Sequence, residues 1–297
     1  MKPEGNEELS TGFLPGGSPS WLAFERDLFA LKPFLIMGVV NVTPDSFSDG
    51  GRFISPEAAL AQAAKLADEG ADILDIGAES SRPGSDPVSA GDEWQRLAPV
   101  LAMVQKELPD IAVSVDTTKA EVARRALGLG ASIINDISAG KNDAAMLPLA
   151  ASSKAGLVLM HMRGTPKTMQ AAPFYKDAPG EVAAELAERL NAAVEAGVAR
   201  DRIAVDPGIG FGKRAEDNVA LIRDTAPILA LGRPVLIGAS RKSVIGAITG
   251  ASVDDRLNGT LAMHVAAMLN GARIFRVHDV AAHRQALSVA WAILGGK

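Results

Sequence analysis

The chain has 297 residues, 47% hydrophobic and 22% charged, with 30 Lys and Arg against 35 Asp and Glu for a formal charge of −5. That composition suits an ordinary globular core and excludes disorder of the whole chain, and without a basic excess or stripe no nucleic-acid partner is expected. The absence of cysteine removes disulfides, thiolate zinc sites and thiol nucleophiles and is compatible with a reducing cytoplasm; no apolar run reaches the ~18 residues of a membrane span.

In chain order, residues 1–33 carry four Gly and four Pro, including Gly-Gly-Ser-Pro-Ser at 16–20, and lack the apolar centre of a secretory signal. They read as a flexible N-terminal extension with a short helix around Trp21–Ala30. From Phe34 the texture changes to short apolar runs separated by longer Ala-rich stretches of helical period. The runs are Phe34–Val40, Ile73–Ile76, Ile111–Val115, Ser132–Ile134, Gly156–Met160, Ile203–Val205, Pro234–Ile237 and Arg273–Val277. The helical stretches are Pro56–Glu69, Asp92–Lys106, Lys119–Leu129, Asp143–Lys154, Gly180–Ala196, Ala215–Leu229, Asp254–Asn270 and Val280–Leu294.

Strand candidates that alternate with helix candidates predict a parallel sheet, and continuous apolar runs predict strands buried on both faces. Eight such units favour a single (β/α)8 TIM barrel over residues 34–297. No Gly-x-Gly-x-x-Gly follows the first run to favour a doubly wound alternative.

Catalytic groups of this barrel sit where strands end at its C-terminal face. The polar residues at those places are Asn41, Asp75 with Glu79-Ser80-Ser81-Arg82, Asp116, Asn135-Asp136, His161, Asp206, Ser240-Arg241-Lys242 and Arg276 with His278. Asp and Asn also favour strand ends and helix caps for local reasons, so no single position is diagnostic; eight together are. Asp116 and Asp206 suit a polar heterocycle, and Arg82, Lys242 and Arg276 suit an anion. Gly238-Ala-Ser-Arg-Lys-Ser243 joins a strand to a helix with small residues that let N–H groups face a ligand. Arg276 beside it offers a fork for phosphate oxygens, whereas Arg241 reads equally well as half of a surface ion pair. His264 reads as a packing residue and His283 as solvated, with His161 undecided. No His pair has metal-ligand spacing, which argues against structural zinc but not against Mg²⁺ held through substrate phosphates.

The segment Met37-Gly-Val-Val-Asn-Val-Thr-Pro-Asp-Ser-Phe-Ser-Asp-Gly-Gly51 and the segment Asp75-Ile-Gly-Ala-Glu-Ser-Ser-Arg-Pro-Gly84 closely resemble the two signatures of the dihydropteroate synthase family. The resemblance continues in order through Ser114-Val-Asp-Thr117, Ile134-Asn-Asp136, Met160-His-Met162, Asp206-Pro-Gly-Ile-Gly-Phe-Gly-Lys213, Ser240-Arg-Lys-Ser243 and Arg276-Val-His-Asp279. It implies a pterin-binding (β/α)8 barrel that condenses 6-hydroxymethyl-7,8-dihydropterin pyrophosphate with p-aminobenzoate, using Mg²⁺, to give dihydropteroate and pyrophosphate. Such a transferase serves folate biosynthesis and is the target of sulfonamides.

Carried over by residue, the resemblance implies that Asp116, Asn135, Asp206 and Lys242 hold the pterin, with Met160 and Phe211 packing on it. It places Asn41 at the metal and pyrophosphate. Ser81, Arg82, Pro83, Ser243, Arg276 and His278 fall around pyrophosphate and p-aminobenzoate. Asp116, Lys242, Arg276 and His278 are the residues expected to carry the chemistry, and a cytoplasmic homodimer built on outer helices near the C-terminus is implied. Ser81 departs from the Thr usual in the family, which keeps the hydroxyl and loses a methyl. A pterin-binding methyltransferase barrel and a non-catalytic binding module are the competing readings. The loops 43–54 and 80–91, rich in Gly, Ser, Pro and Asp, are expected to be mobile before pyrophosphate and pterin bind, so that p-aminobenzoate binds second.

Overall fold

The computed structural model describes residues 20–30, 32–43 and 55–296; the first 19 residues of the extension and most of loop 43–54 lie outside the described residues. The strands of the main sheet are β3 (Leu35–Asn41), β4 (Ile73–Gly77), β5 (Ala112–Asp116), β6 (Ile133–Asp136), β7 (Gly156–Met160), β8 (Ile203–Asp206), β9 (Leu236–Ile237) and β10 (Ile274–Val277), preceded by a small hairpin of β1 (Leu22–Ala23) and β2 (Arg26–Asp27). The eight are parallel in the order β8-β7-β6-β5-β4-β3-β10-β9, and a parallel bridge from Val205 to Val235 brings the two ends together. The result is the expected (β/α)8 barrel.

Helices α1 (Pro56–Asp68), α2 (Ala90–Glu107), α3 (Ala120–Gly128), α4 (Met146–Ser153), α5 (Ala178–Glu195), α6 (Ala215–Arg223), α7 (Ala226–Leu229), α8 (Ser243–Thr249), α9 (Leu257–Leu269) and α10 (Val280–Ile293) cover the sheet. Local chemistry starts them: the Ser55 and Ser89 hydroxyls accept the N–H of Ala58 and Asp92, which satisfies otherwise orphaned donors. The single helix expected over Ala215–Leu229 is broken into α6 and α7. Pro227 has no N–H and its ring would meet the carbonyl of Arg223, the last residue of α6. The helix expected to follow Gly238–Ser243 is the short α8, whose seven residues give too little periodicity to mark its extent. No helix among the described residues is long and apolar enough to cross a membrane.

Side chains two apart on a strand share a face, and this sorts the barrel into layers. Leu35, Met37, Ile73, Ala112, Ile133, Val158, Ala204, Leu236 and Ile274 form one apolar cluster with Trp21, Ala23, Leu28 and Phe29. The alternate residues Ile36, Leu74, Val113, Ile134, Leu157, Ile203, Ile237 and Phe275 belong to the larger core under the helices. The helix expected around Trp21–Ala30 is therefore a hairpin, and it is not a loose appendage. Trp21 is fully buried, its indole N–H donates to the Arg202 carbonyl at 2.9 Å, and Phe24 N–H donates to Lys154 O at 2.9 Å. The hairpin seals the end of the barrel where the strands begin.

Candidate active site

Two residues beyond that apolar layer, the same inward faces carry Asp75, Ser114, Asn135, Met160, Asp206 and Arg276, with Asp116 a further pleat up on β5. The guanidinium of Arg276 joins them: Nε donates to Asp75 Oδ2 at 2.6 Å and Nη2 to Asp116 Oδ2 at 2.7 Å. Asn135 Nδ2 donates to the same Asp75 oxygen at 3.1 Å. Asp75 Oδ1 and Ser114 Oγ, both buried, have no partner. Gly77 sits beside this network for lack of space, since a Cβ there would lie 3.1 Å from that of Asp116.

Asp206 and Lys242 complete the polar layer. Asp206 Oδ1 accepts the Gly208 N–H at 2.6 Å, in a turn that requires glycine: φ is +69° and a Cβ would meet the His161 carbonyl oxygen at 2.0 Å. Lys242 immediately precedes α8 and its ammonium lies 4.0 Å from the centroid of the Phe211 ring. Phe211 packs with Met160, Met162 and Met169 and with Ile137, which gives the polar layer one flat apolar wall. His278 stands at the exit of β10, with N and Nδ1 at 3.2 and 2.9 Å from Ser240 Oγ.

Burial dominates the titration of these groups. It pushes the Asp116 carboxyl up to about 7, with Arg276 pulling the other way and Asp75 adding to the rise. It pushes Asp206 up to about 6. Burial and then the Arg276 charge bring Lys242 down to about 8 and His278 down to about 4. Arg276 stays above its ordinary range despite burial because Asp75 and Asp116 face it.

The predicted residues are thus largely brought together. Asn41 ends β3 at the same mouth and is exposed. Ser81 lines a cavity of about 260 Å³ with Asp116, Thr117, Ile137 and Pro166, while Arg82, Pro83 and Ser243 are exposed. The loop after β4 is tied down in the free chain: Gly84 N–H donates to Pro166 O at 3.0 Å and Lys167 pairs with Asp86 at 2.9 Å. Its expected mobility has no counterpart in these contacts. Arg241 is an ion pair, its fork on Asp279 at 2.6 and 3.1 Å. His283, read as solvated, is fully buried; its Nδ1 meets the Asp279 carbonyl at 2.6 Å and its ring is tilted against that of His264 with centroids 4.9 Å apart.

Two residues were given no specific role from sequence. Asp75 is the shared acceptor for Arg276 and Asn135; its signs were its place at the end of the second apolar run and at the head of the second family signature. Lys213 is buried and donates to the carbonyls of Gly208 and Phe211 at 3.0 and 2.9 Å. It also approaches His161 Nδ1 at 3.0 Å, while His161 Nε2 donates to Glu185 at 3.0 Å. Burial, then Lys213, brings His161 down to about 3, so the neutral ring brackets the turn that carries Phe211.

The chain matches a family model described as pterin binding enzyme over residues 37–278. It is 47% identical to a dihydropteroate synthase of Neisseria meningitidis serogroup B, with 93% of this chain and 97% of that one covered. A solved Xanthomonas albilineans dihydropteroate synthase with 4-aminobenzoic acid superposes with a TM-score of 0.86 at 43% identity, covering 95% of this chain and 100% of that one. A Yersinia pestis dihydropteroate synthase in a sulfonamide complex superposes with a TM-score of 0.87 at 36% identity, covering 93% and 100%. With its barrel, its layer of buried polar side chains at the strand ends, and these similarities over nearly its whole length, the chain belongs to the dihydropteroate synthase family.

Proposed function

We propose that this chain condenses 6-hydroxymethyl-7,8-dihydropterin pyrophosphate with p-aminobenzoate, releasing dihydropteroate and pyrophosphate in folate biosynthesis. The observation that carries this reading is Arg276: a cation clamped to Asp75 and Asp116 at the point where a heterocycle pocket of carboxylates gives way to His278, Ser240 and Lys242.

Asp206 accepts from the 2-amino and N3 donors of the pterin, a charge-assisted pairing. Asn135 offers its remaining amide atoms and Lys242 donates to the ring's O4 and N5. Phe211 and Met160 pack on the ring. Arg276 and His278, with Ser243 at the start of α8 and Arg82 on the loop after β4, take the pyrophosphate and the amine pocket. Asn41 offers one amide oxygen, and no cluster of three acidic or imidazole ligands exists among the described residues. That donor set suits Mg²⁺, which takes few protein ligands and completes its shell with phosphate oxygens and water. When bound, it supplies charge neutralisation to the leaving pyrophosphate.

The bond from the pterin methylene carbon to pyrophosphate oxygen breaks, and the amine nitrogen of p-aminobenzoate bonds to that carbon and loses a proton. The methylene cation that develops is delocalised into the dihydropterin ring. Asp116, held near neutrality by burial, is stabilised as an anion by a neighbouring positive charge, and the ring cation provides one. This favours a dissociative substitution. Ser81 and Pro83 border the amine pocket, so sulfonamides should compete with p-aminobenzoate. The exposed Ile248, Val289 and Ile293 on α8 and α10 support a homodimer through that side of the barrel.

A coupled pyrophosphate-release assay on the full chain tests the function. Release that requires both p-aminobenzoate and the pterin pyrophosphate is expected; methyl transfer from a methylated pterin, or no turnover, would overturn it.

A further inference from the structure

One buried acid has no part in the layer described above. Glu93, in the first turn of α2, has no exposed surface, and its Oε1 has no partner. Its Oε2 accepts from Lys119 Nζ at 2.6 Å. A buried ion pair with an orphaned oxygen adds little to stability, and apolar residues of similar volume would do as well or better. Stability does not account for it.

The other side of Lys119 does. The same ammonium donates to Glu79 Oε2, and Glu79 Oε1 accepts the Val88 N–H at 3.2 Å. Residues 79 and 88 are the two ends of the loop that bears Ser81 and Arg82. The Glu79 carboxylate therefore clasps the loop at its neck, and Lys119 fastens that clasp to α2. The loop's Ser81 and Pro87 face Asp116 and Thr117 across the 260 Å³ cavity. Lys119 itself stands at the start of α3, three residues beyond Asp116, so the fastening point follows directly on the strand that carries the site.

We propose that Lys119 and Glu93 are positioning residues that act through Glu79 to hold loop 79–88 in the shape that receives the aromatic amine. This rests on the reading of Ser81 as part of the amine pocket. Lys119 touches no substrate; it sets where Ser81 stands. Buried in α2, Glu93 keeps the ammonium at one place, whereas the loop's outer contacts, Lys167 to Asp86 and Gly84 to Pro166, lie at its exposed far end.

The test uses the full chain with Lys119→Met, Lys119→Arg and the double variant Lys119→Met with Glu93→Leu. Lys119→Met should raise KM for p-aminobenzoate about tenfold, while KM for the pterin pyrophosphate, whose main anchors Asp206, Lys242 and Arg276 lie off the loop that bears Arg82, moves by less than about twofold. Without substrate, it should also speed amide hydrogen exchange at Val88, whose N–H is the clasp. Arg should restore most of both, since its fork can reach two carboxylates. The double variant removes the stranded buried acid and should regain thermal stability, yet keep the high amine KM and the fast Val88 exchange. Recovery of KM in the double variant, equal rises in both KM values, or unchanged exchange at Val88 in Lys119→Met would each overturn the proposal. So would faster exchange with an unmoved amine KM. Failure of the underlying reading looks different: the unsubstituted chain would then release no pyrophosphate.

Discussion

Where the strands begin, Trp21, Leu28 and Phe29 press onto Leu35, Ile73, Ile133 and Ile274 and leave no charge inside the barrel. Two residues further along the same strands, Asp75, Asn135, Asp206 and Arg276 crowd together with Asp75 Oδ1 and Ser114 Oγ unpaired. Asp75, Asn135 and Asp206 are as buried as the floor, and only Arg276 and Asp116 keep a minor part of their surface toward the mouth, so the contrast is chiefly one of polarity. The apolar end gains free energy from burial, whereas the polar end gives some up, since carboxylates are held there against their own titration. That is the pattern expected of a stable floor under a preorganised site.

Removing Arg276 should break the contrast most severely. Arg276→Ala strands two acids and deletes the pyrophosphate cation, so kcat/KM should fall by about 10³ or more. Its stability loss should be larger at pH 8 than at pH 5, because Asp116 can neutralise itself by protonation in acid. Steady-state kinetics and urea melts at the two pH values check this; a mild, pH-independent loss would make Arg276 a packing residue.

The floor should fail in the opposite way. Trp21→Ala should cost about 3–5 kcal/mol of stability by opening a cavity and orphaning the Arg202 carbonyl. At temperatures where the variant is folded, both KM values should stay near those of the parent chain. A rise in KM for the pterin would mean that the hairpin shapes the site across the barrel.

Asp206→Asn sharpens the comparison, because it should move stability and function in opposite directions. The folded carboxyl titrates near 6 rather than at its ordinary 3.8. The folded state therefore binds more protons than the unfolded chain between those values, and this acid subtracts stability as pH rises through that window. The amide keeps the Gly208 hydrogen bond without the charge. Its advantage over the parent should be on the order of 2 kcal/mol at pH 7 and smaller at pH 4.5. Pterin affinity should nevertheless drop about a hundredfold, as one acceptor becomes a donor facing donors. Calorimetry and melts on the same preparations read both; unchanged affinity would remove Asp206 from the pterin.

The smallest effect belongs to Ser81→Thr. The added methyl enters the cavity wall, where one buried carbon contributes about 0.8 kcal/mol at most. KM for p-aminobenzoate should fall by two- to threefold at most, with kcat unmoved.

Periodicity alone placed all eight strands of the barrel within a residue or two, since a strand buried on both faces announces itself as an apolar run. Propensity could not distinguish helix from hairpin at Trp21–Ala30, where the outcome depends on a barrel end that exists only after eight distant strands have closed. His283 was misjudged for the same reason: helix α10 has a polar-looking position that tertiary packing turns onto His264.

The site divides along the same line. Asp116, Asn135, Asp206, Lys242, Arg276 and His278 were legible because each stands at or near a strand end, and strand order alone brings strand ends to one mouth. Ordered motifs added their chemistry. What no motif showed is which acid serves which cation. Arg276 could have answered any carboxylate at that mouth, and Lys119 reads as an ordinary helix-start lysine. Those pairings depend on the pleat, which turns Asp75 inward at the height of Arg276, and on the packing of α2 beside α3, which carries Glu93 to Lys119. Sequence determined the alternation of strands and helices and the kinds of side chain at the mouth, because both are local. Only the closed barrel decided their partners, because contacts between residues 201 positions apart, as for Asp75 and Arg276, have no local signature.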